Sequence, residues 1–171
     1  MTDWGAHMFD IAQWMLGKDL NGPCEIIPGG YQYYKNLTFK YDNGVIMTEE
    51  DFGRGQSVMV YGEKGWLYVC RGKFECSIPE LAYVEKEKDG FEYEAKVGHH
   101  QNFINCVRGR WDPVVPVEVG HSSCTVCNLG NIAIELGRPV KWNPIVQKFM
   151  DDPEADKLMH YEYRPGYSLD V

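Results

Sequence analysis

Apolar residues change their spacing twice along the chain, and the changes predict a helix, a long run of strands and then helices again. From Asp3 to Leu16 they recur at helical spacing, with Asp3 suited to cap the helix and Gly17 suited to end it. Residues 24–96 instead alternate in the way that is typical of strands. After Gly98 the helical spacing returns.

Turn signals divide the middle segment into successive hairpins. Three turns are recognisable, each with a strand on either side: 43–44 between 37–41 and 45–52, 62–65 between 57–61 and 66–70, and 88–90 between 82–87 and 91–95. Because parallel strands need crossovers of a dozen or more residues, these short connections predict an antiparallel sheet.

The later helices complete the predicted fold. Residues 102–110 place Phe103, Ile104 and Val107 on one helical face, and a longer helix runs from about Val117 to Leu136. A short helix is expected near 153–159. We therefore predict a single α+β domain over residues 1–171, a large, mostly antiparallel meander sheet with helices covering one face. The other face is apolar enough to predict a homo-oligomer formed through the sheet.

Composition and charge narrow the function. The chain has 171 residues and a formal net charge of −8, which argues against nucleic acid as a partner because phosphate binding needs concentrated Lys and Arg. No apolar run reaches the roughly 20 residues of a membrane span, so no membrane association is expected. The six cysteines fall mostly in apolar or helical patterns, where they behave as small hydrophobes, and favour a reduced, cytoplasm-like setting.

Two short motifs are interpreted as structural. The segment FGRGQSV (52–58) begins like a dinucleotide loop, but Val58 replaces the third glycine and a strand pattern follows where a helix N-terminus is needed. The segment HSSCTVC (121–127) has metal-like spacing, yet on a helix His121 and Cys127 are about 9 Å apart along the axis, too far for one zinc ion. We predict no metal site.

The first ten residues hold the strongest candidate for chemistry. Asp3 and His7 are four residues apart, so on a helix their side chains can meet. A carboxylate and a helix N-terminus act on an imidazole in opposite directions, which can poise it for general acid–base work. An N-cap beside an incidental, satisfied histidine fits these residues equally well. The pair His99–His100, at a strand-to-helix junction, is a further candidate to face a cleft.

Two blocks of the sequence resemble a known family. MTDWGAHMFDIAQWMLG (1–17) and GHHQNFINCVRGRWDPVVPVEVGHSSCTVCNLGNIAIELGRPVKW (98–142) are similar to the C-terminal domain of the Gfo/Idh/MocA oxidoreductases, relatives of glucose–fructose oxidoreductase and inositol dehydrogenase. The resemblance spans nearly the whole chain. It implies that a dinucleotide-binding Rossmann domain, absent from these residues, precedes this substrate-binding and oligomerisation domain in the parent protein.

The resemblance also implies roles for individual residues. Asp3 and His7 match the family's Asp-x-x-x-His pair, so His7 would take the proton of a substrate hydroxyl as hydride leaves for nicotinamide, and Asp3 would orient it. His100 and Asp10 are candidate substrate contacts, although for Asp10 the interpretation as a structural neighbour is favoured. The substrate would be a sugar, cyclitol or related polyol. The cofactor would be NAD or NADP in the parent, and none is expected for this chain alone.

Two alternatives differ in class. The first is a non-catalytic assembly or ligand-binding domain that keeps an idle Asp–His pair. The second is a metal-dependent hydrolase that uses His99, His100 or His121, which the helical geometry disfavours.

Overall fold

The structure is a computed structural model that describes residues 1–83 and 97–168. Two compact units divide the chain: one comprises Met1–Asp3, Asn21–Asp51 and Cys124–Val171, and the other comprises Trp4–Leu20 and Phe52–Ser123. Within the described residues, no helix is both long and apolar enough to cross a membrane.

The first unit is built on a five-stranded sheet. The strands are β1 (Glu25–Ile27), β2 (Leu37–Lys40), β3 (Ile46–Glu49), β7 (Val140–Asn143) and β8 (Lys148–Phe149), in the spatial order β3-β2-β1-β7-β8. Every neighbouring pair is antiparallel. The Asn43-Gly44 turn joins β2 to β3 as the sequence predicts, with Gly44 at a φ of 84° that favours glycine.

One face of this sheet is covered by a helix of the same unit. The helix α3 (Val117–Leu136) has the bounds predicted from its sequence, and its residues from Cys124 onward belong to this unit. Gly130 lets the helix approach closely, because a Cβ there would lie 3.0 Å from Leu37 and 3.2 Å from Phe39. Phe39 and Ile26 pair across β2 and β1 and are both 0% exposed, so the core of the unit lies at this contact.

A short helix closes the first unit. Helix α4 (Pro153–Lys157) begins after Asp152, whose Oδ1 accepts the Ala155 N–H at 3.1 Å as an N-cap. The same carboxylate accepts two hydrogen bonds from the Arg138 guanidinium, at 2.6 and 2.8 Å. These bonds hold the pKa of the Asp152 carboxyl at about 2. One side chain therefore both caps the helix and pairs with a charge.

Asp152 should make stability depend on pH in acid. Its folded-state pKa is lowered, so its ionised contribution is present above the ordinary value of 3.8 and is lost as pH falls toward about 2. We expect thermal unfolding of Asp152→Asn, which keeps the cap oxygen, to respond less to acid in that window than the parent chain. Asp152→Ala should also lose the cap, at a cost of about 1 kcal/mol at neutral pH. Asp151→Asn is the control, and an acid response equal to that of Asp152→Asn would contradict the assignment.

The second unit holds a helix, a three-stranded sheet and a second helix. Its elements are α1 (Trp4–Met15), β4 (Val58–Gly62), β5 (Gly65–Cys70), β6 (Lys73–Cys76), a 3-10 turn (Pro79–Tyr83) and α2 (His99–Gly109), and the strands pair antiparallel in the order β4-β5-β6. The α+β class with antiparallel sheets is thus confirmed. Among the described residues the strands form two sheets, and the third predicted hairpin falls mostly within 84–96, outside them.

The buried side of α2 is not its apolar side. Phe103, Ile104 and Val107 are 64%, 41% and 50% exposed, whereas Asn102 and Cys106 are buried. The following loop explains the difference. The Val114 N–H donates to Asn102 Oδ1 at 3.3 Å, and Cys106 Sγ donates to the Asp112 carbonyl at 3.3 Å. The chain therefore folds back over the more polar side of the helix.

Candidate active site

Helix α1 carries the candidate base close to its start. The helix begins at Trp4, one residue after the predicted start, and Gly17 follows its end in the left-handed conformation, with φ of 64°. His7 lies within its first two turns and is exposed. An exposed imidazole on a helix is open to a small molecule and can exchange its proton with solvent.

The Trp4 side chain at the start of α1 contacts an imidazole and a guanidinium. The His7 ring lies 5.6 Å from the Trp4 ring, with an angle of 52° between their planes. The Arg71 guanidinium lies over the same indole, 5.0 Å from its centroid. Arg71 belongs to the two-residue turn between β5 and β6, so the hairpin and the helix meet at Trp4. The indole thus bridges a permanent cation and the candidate base.

Buried polar contacts fix α1 in register further along. Ser123 Oγ, at the start of α3, donates to Asp10 Oδ1 at 2.6 Å. Gln13 is 0% exposed, and its Nε2 donates to Ser122 Oγ at 3.2 Å and to the Lys18 carbonyl at 3.0 Å. Buried polar groups need such partners, so the two serines allow only one rotation and one register of α1 on α3. Asp10 therefore lies in a structural contact, which agrees with its interpretation as a structural neighbour of His7.

The Asp10–Ser123 contact should contribute measurably to stability. A hydrogen bond to a charged group typically contributes about 1.5–3 kcal/mol, and half-burial of Asp10 places this one at the lower end. We expect Ser123→Ala to lower the unfolding free energy by about 1.5 kcal/mol in urea. A double-mutant cycle with Asp10→Ala should give a coupling energy of about 1 kcal/mol. If the two substitutions lowered the unfolding free energy by strictly additive amounts, the two side chains would act independently.

The other two candidates remain predictions. Asp3 is exposed and immediately precedes α1, and its approach to His7 stays a prediction. His100 lies in the first turn of α2 with its ring 4.0 Å from that of His99, and both side chains are exposed. A substrate contact by His100 or Asp10 likewise stays a prediction.

The two motifs interpreted as structural take the expected local structure. Residues 53–56 form bends with Gly53 and Gly55 at positive φ, and β4 begins at Val58, so no helix N-terminus is available there for a pyrophosphate. His121, Cys124 and Cys127 lie within α3. Over residues 1–83 and 97–168, no three His, Cys, Asp or Glu side chains come together to hold a metal ion.

Sequence reasoning missed Arg71 and the serine pair. RGK (71–73) resembles a solvated charged stretch, although Arg71-Gly72 is the turn of a hairpin whose last pair is Cys70–Lys73. The available signal was the glycine at the second turn position, with φ of 76°. Ser122 and Ser123 carried no such signal, because the sequence does not show which helix faces them.

Comparison with known proteins places the chain in a family. A family model described as "Oxidoreductase family, C-terminal alpha/beta domain", of the Gfo/Idh/MocA group, matches residues 1–169. Neither a curated protein nor a solved structure gives a significant match. The matched region includes Asp3, α1 with His7, both sheets and α3. The chain therefore belongs to the Gfo/Idh/MocA oxidoreductase family, as its C-terminal domain.

Proposed function

We propose that this domain supplies the substrate side of an NAD(P)-dependent oxidation of a sugar, cyclitol or related polyol. The observation that carries the proposal is the position of His7. It is exposed on a helix whose register is fixed by Gln13 and Asp10, and its ring packs against Trp4. An accessible imidazole on a rigid support is what a general base requires. Membership of an oxidoreductase family agrees with this role.

The proposed chemistry at His7 is a proton transfer. Oxidation of a secondary alcohol removes a hydride from carbon and a proton from oxygen, and leaves a ketone. Neutral His7 accepts the hydroxyl proton on a ring nitrogen and afterwards releases it to water, to which the side chain is open. The family resemblance gives Asp3 the role of orienting this imidazole. Reversal of the same steps would reduce a ketone.

The hydride acceptor is expected to be held by the nucleotide-binding domain that the family resemblance implies. The glycine-containing bend before β4 leads into a strand, so it lacks the helix N-terminus on which a dinucleotide pyrophosphate rests. The hydride acceptor would be an oxidised nicotinamide nucleotide. The nucleotide-binding domain that the resemblance implies would bind it. The described residues of this chain supply the base and part of the substrate surface.

Turnover by the two-domain protein tests the proposal. This chain is expressed together with the nucleotide-binding domain encoded before it in its gene, or with that of a family member if its gene encodes none. The protein is then given NAD⁺ or NADP⁺ and a panel of pyranoses, cyclitols and alditols. We expect reduced nicotinamide to form with at least one substrate, and only when both domains are present. Absence of turnover across the panel would count against the proposed function.

A further inference from the structure

A permanent positive charge and the candidate base both contact the indole of Trp4. The Arg71 guanidinium and the His7 ring lie 5.0 and 5.6 Å from the same indole centroid. Arginine stays protonated at every physiological pH, whereas the hydroxyls of a neutral sugar need no such charge. A fixed cation near the base favours an anionic ligand over a neutral one.

The position of Arg71 is built into the fold. The side chain comes from a two-residue turn closed by the Cys70–Lys73 pair, and Gly72 adopts the positive φ, 76°, that this turn needs. The cation–π contact with Trp4 restrains the guanidinium, whose N–H groups can still donate hydrogen bonds to a ligand. Arginine held in this way has lost much of its side-chain freedom before any ligand arrives, which favours binding.

Two cations near this sheet share one carboxylate. Glu75 accepts from Arg54 at 2.6 Å and from Lys73 at 2.7 Å, and both cations lie over the Tyr68 ring. These contacts lower the pKa of the Glu75 carboxyl, so the trio stays paired. In the described ranges 1–83 and 97–168, Arg71 has no ion pair with a carboxylate. Two arginines on one small sheet thus differ: Arg54 is used internally and Arg71 faces outward.

We propose that Arg71 binds the carboxylate of an acidic sugar, with the hydroxyl to be oxidised directed at His7. Both carboxylates and phosphates fit a guanidinium fork, and a carboxylate is favoured because an acidic sugar carries it on the same molecule as the hydroxyl to be oxidised. The guanidinium and the imidazole lie 5.0 and 5.6 Å from the Trp4 ring centroid, so a six-carbon sugar acid bound across the indole can present one group to each. This inference narrows the proposed substrate class from polyols in general to polyhydroxy acids, and it rests on the proposed function for the choice of a sugar.

Calorimetric titration of this chain tests the assignment without requiring turnover. D-glucuronate is the probe, D-glucose is its neutral match, and inorganic phosphate and NADP⁺ are the competing anions. We expect saturable binding of glucuronate, at least about tenfold weaker binding of glucose, and a loss of about tenfold or more in Arg71→Met. Arg71→Lys, which keeps the charge without the fork, should lie between. Arg54→Met, which changes the paired arginine of the same sheet, should bind glucuronate as the parent chain does.

Each other outcome overturns the inference. Equal binding of glucose and glucuronate, no saturable binding of glucuronate, or an Arg71→Met variant that binds normally would remove the carboxylate assignment. Tighter binding of phosphate or NADP⁺ than of glucuronate, lost in Arg71→Met, would assign the arginine to the nucleotide instead. Failure of the proposed function would give a different result. The two-domain protein would not oxidise substrates, while Arg71-dependent binding of glucuronate would persist.

Discussion

Replacing His7 with alanine is expected to lower kcat of the two-domain protein by about 100-fold or more, the usual scale for loss of a general base. In the proposed role only the imidazole meets the reacting hydroxyl, and removal of an exposed side chain should leave the fold intact. KM should change little, because the proton is transferred in the chemical step and not in binding. Steady-state kinetics with the best substrate of the panel measure both constants.

A matched variant separates this role from a general effect of losing a histidine. His160 is equally exposed and lies in the carboxyl-terminal segment, outside α1. His160→Ala should therefore keep kcat within about twofold. If His7→Ala also kept full kcat, the Asp–His pair would be idle. The non-catalytic assembly or ligand-binding domain would then be the better description of this chain.

Phe39→Ala is expected to lower the unfolding free energy by about 3–5 kcal/mol, among the largest losses that a single substitution causes. The side chain is 0% exposed in β2, between β1 and β3, and its ring faces Gly130 of α3. Truncation removes the ring from the core of the first unit and leaves a cavity that the rigid sheet cannot fill. Urea unfolding should show a lower midpoint with the slope unchanged.

An exposed phenylalanine provides the comparison. Phe103 on α2 is 64% exposed, so Phe103→Ala should change the unfolding free energy by no more than about 0.5 kcal/mol. A loss below about 1 kcal/mol for Phe39→Ala would mean that the contact between α3 and the sheet is looser than the structure shows.

Local signals determined how much of this fold the sequence could predict. Helix α3 has the bounds that its sequence predicts because its helical periodicity runs unbroken to Gly137, whose φ of 63° ends it. The hairpin turn at Asn43-Gly44 is an equally clear signal. Strands β1, β7 and β8 were not predicted, since they are two to four residues long and depend on partners far along the chain. Short strands carry too few residues for a period to appear.

In the candidate site, too, local sequence patterns identified some residues and not those that come together only on folding. Asp3 and His7 are four residues apart, so a local pattern and a resemblance were enough to select them. Trp4 and Arg71 are far apart in the chain, and only the folded hairpin brings them together. Helix α2 shows how a local pattern can mislead. Its apolar side has the pattern of a buried face in the sequence, but the loop that folds back bonds to Asn102 and Cys106 instead.

The fluorescence of Trp4 can report on events at the candidate site. Its indole, 43% exposed, contacts the Arg71 guanidinium and the His7 ring, so its emission responds to whatever changes the charge or solvent around either group. The chain holds five tryptophans, and comparison with Trp4→Phe isolates the contribution of this one. The molecule therefore carries its own fluorophore at the place where a ligand is proposed to bind, and site occupancy can be followed in solution without an attached label.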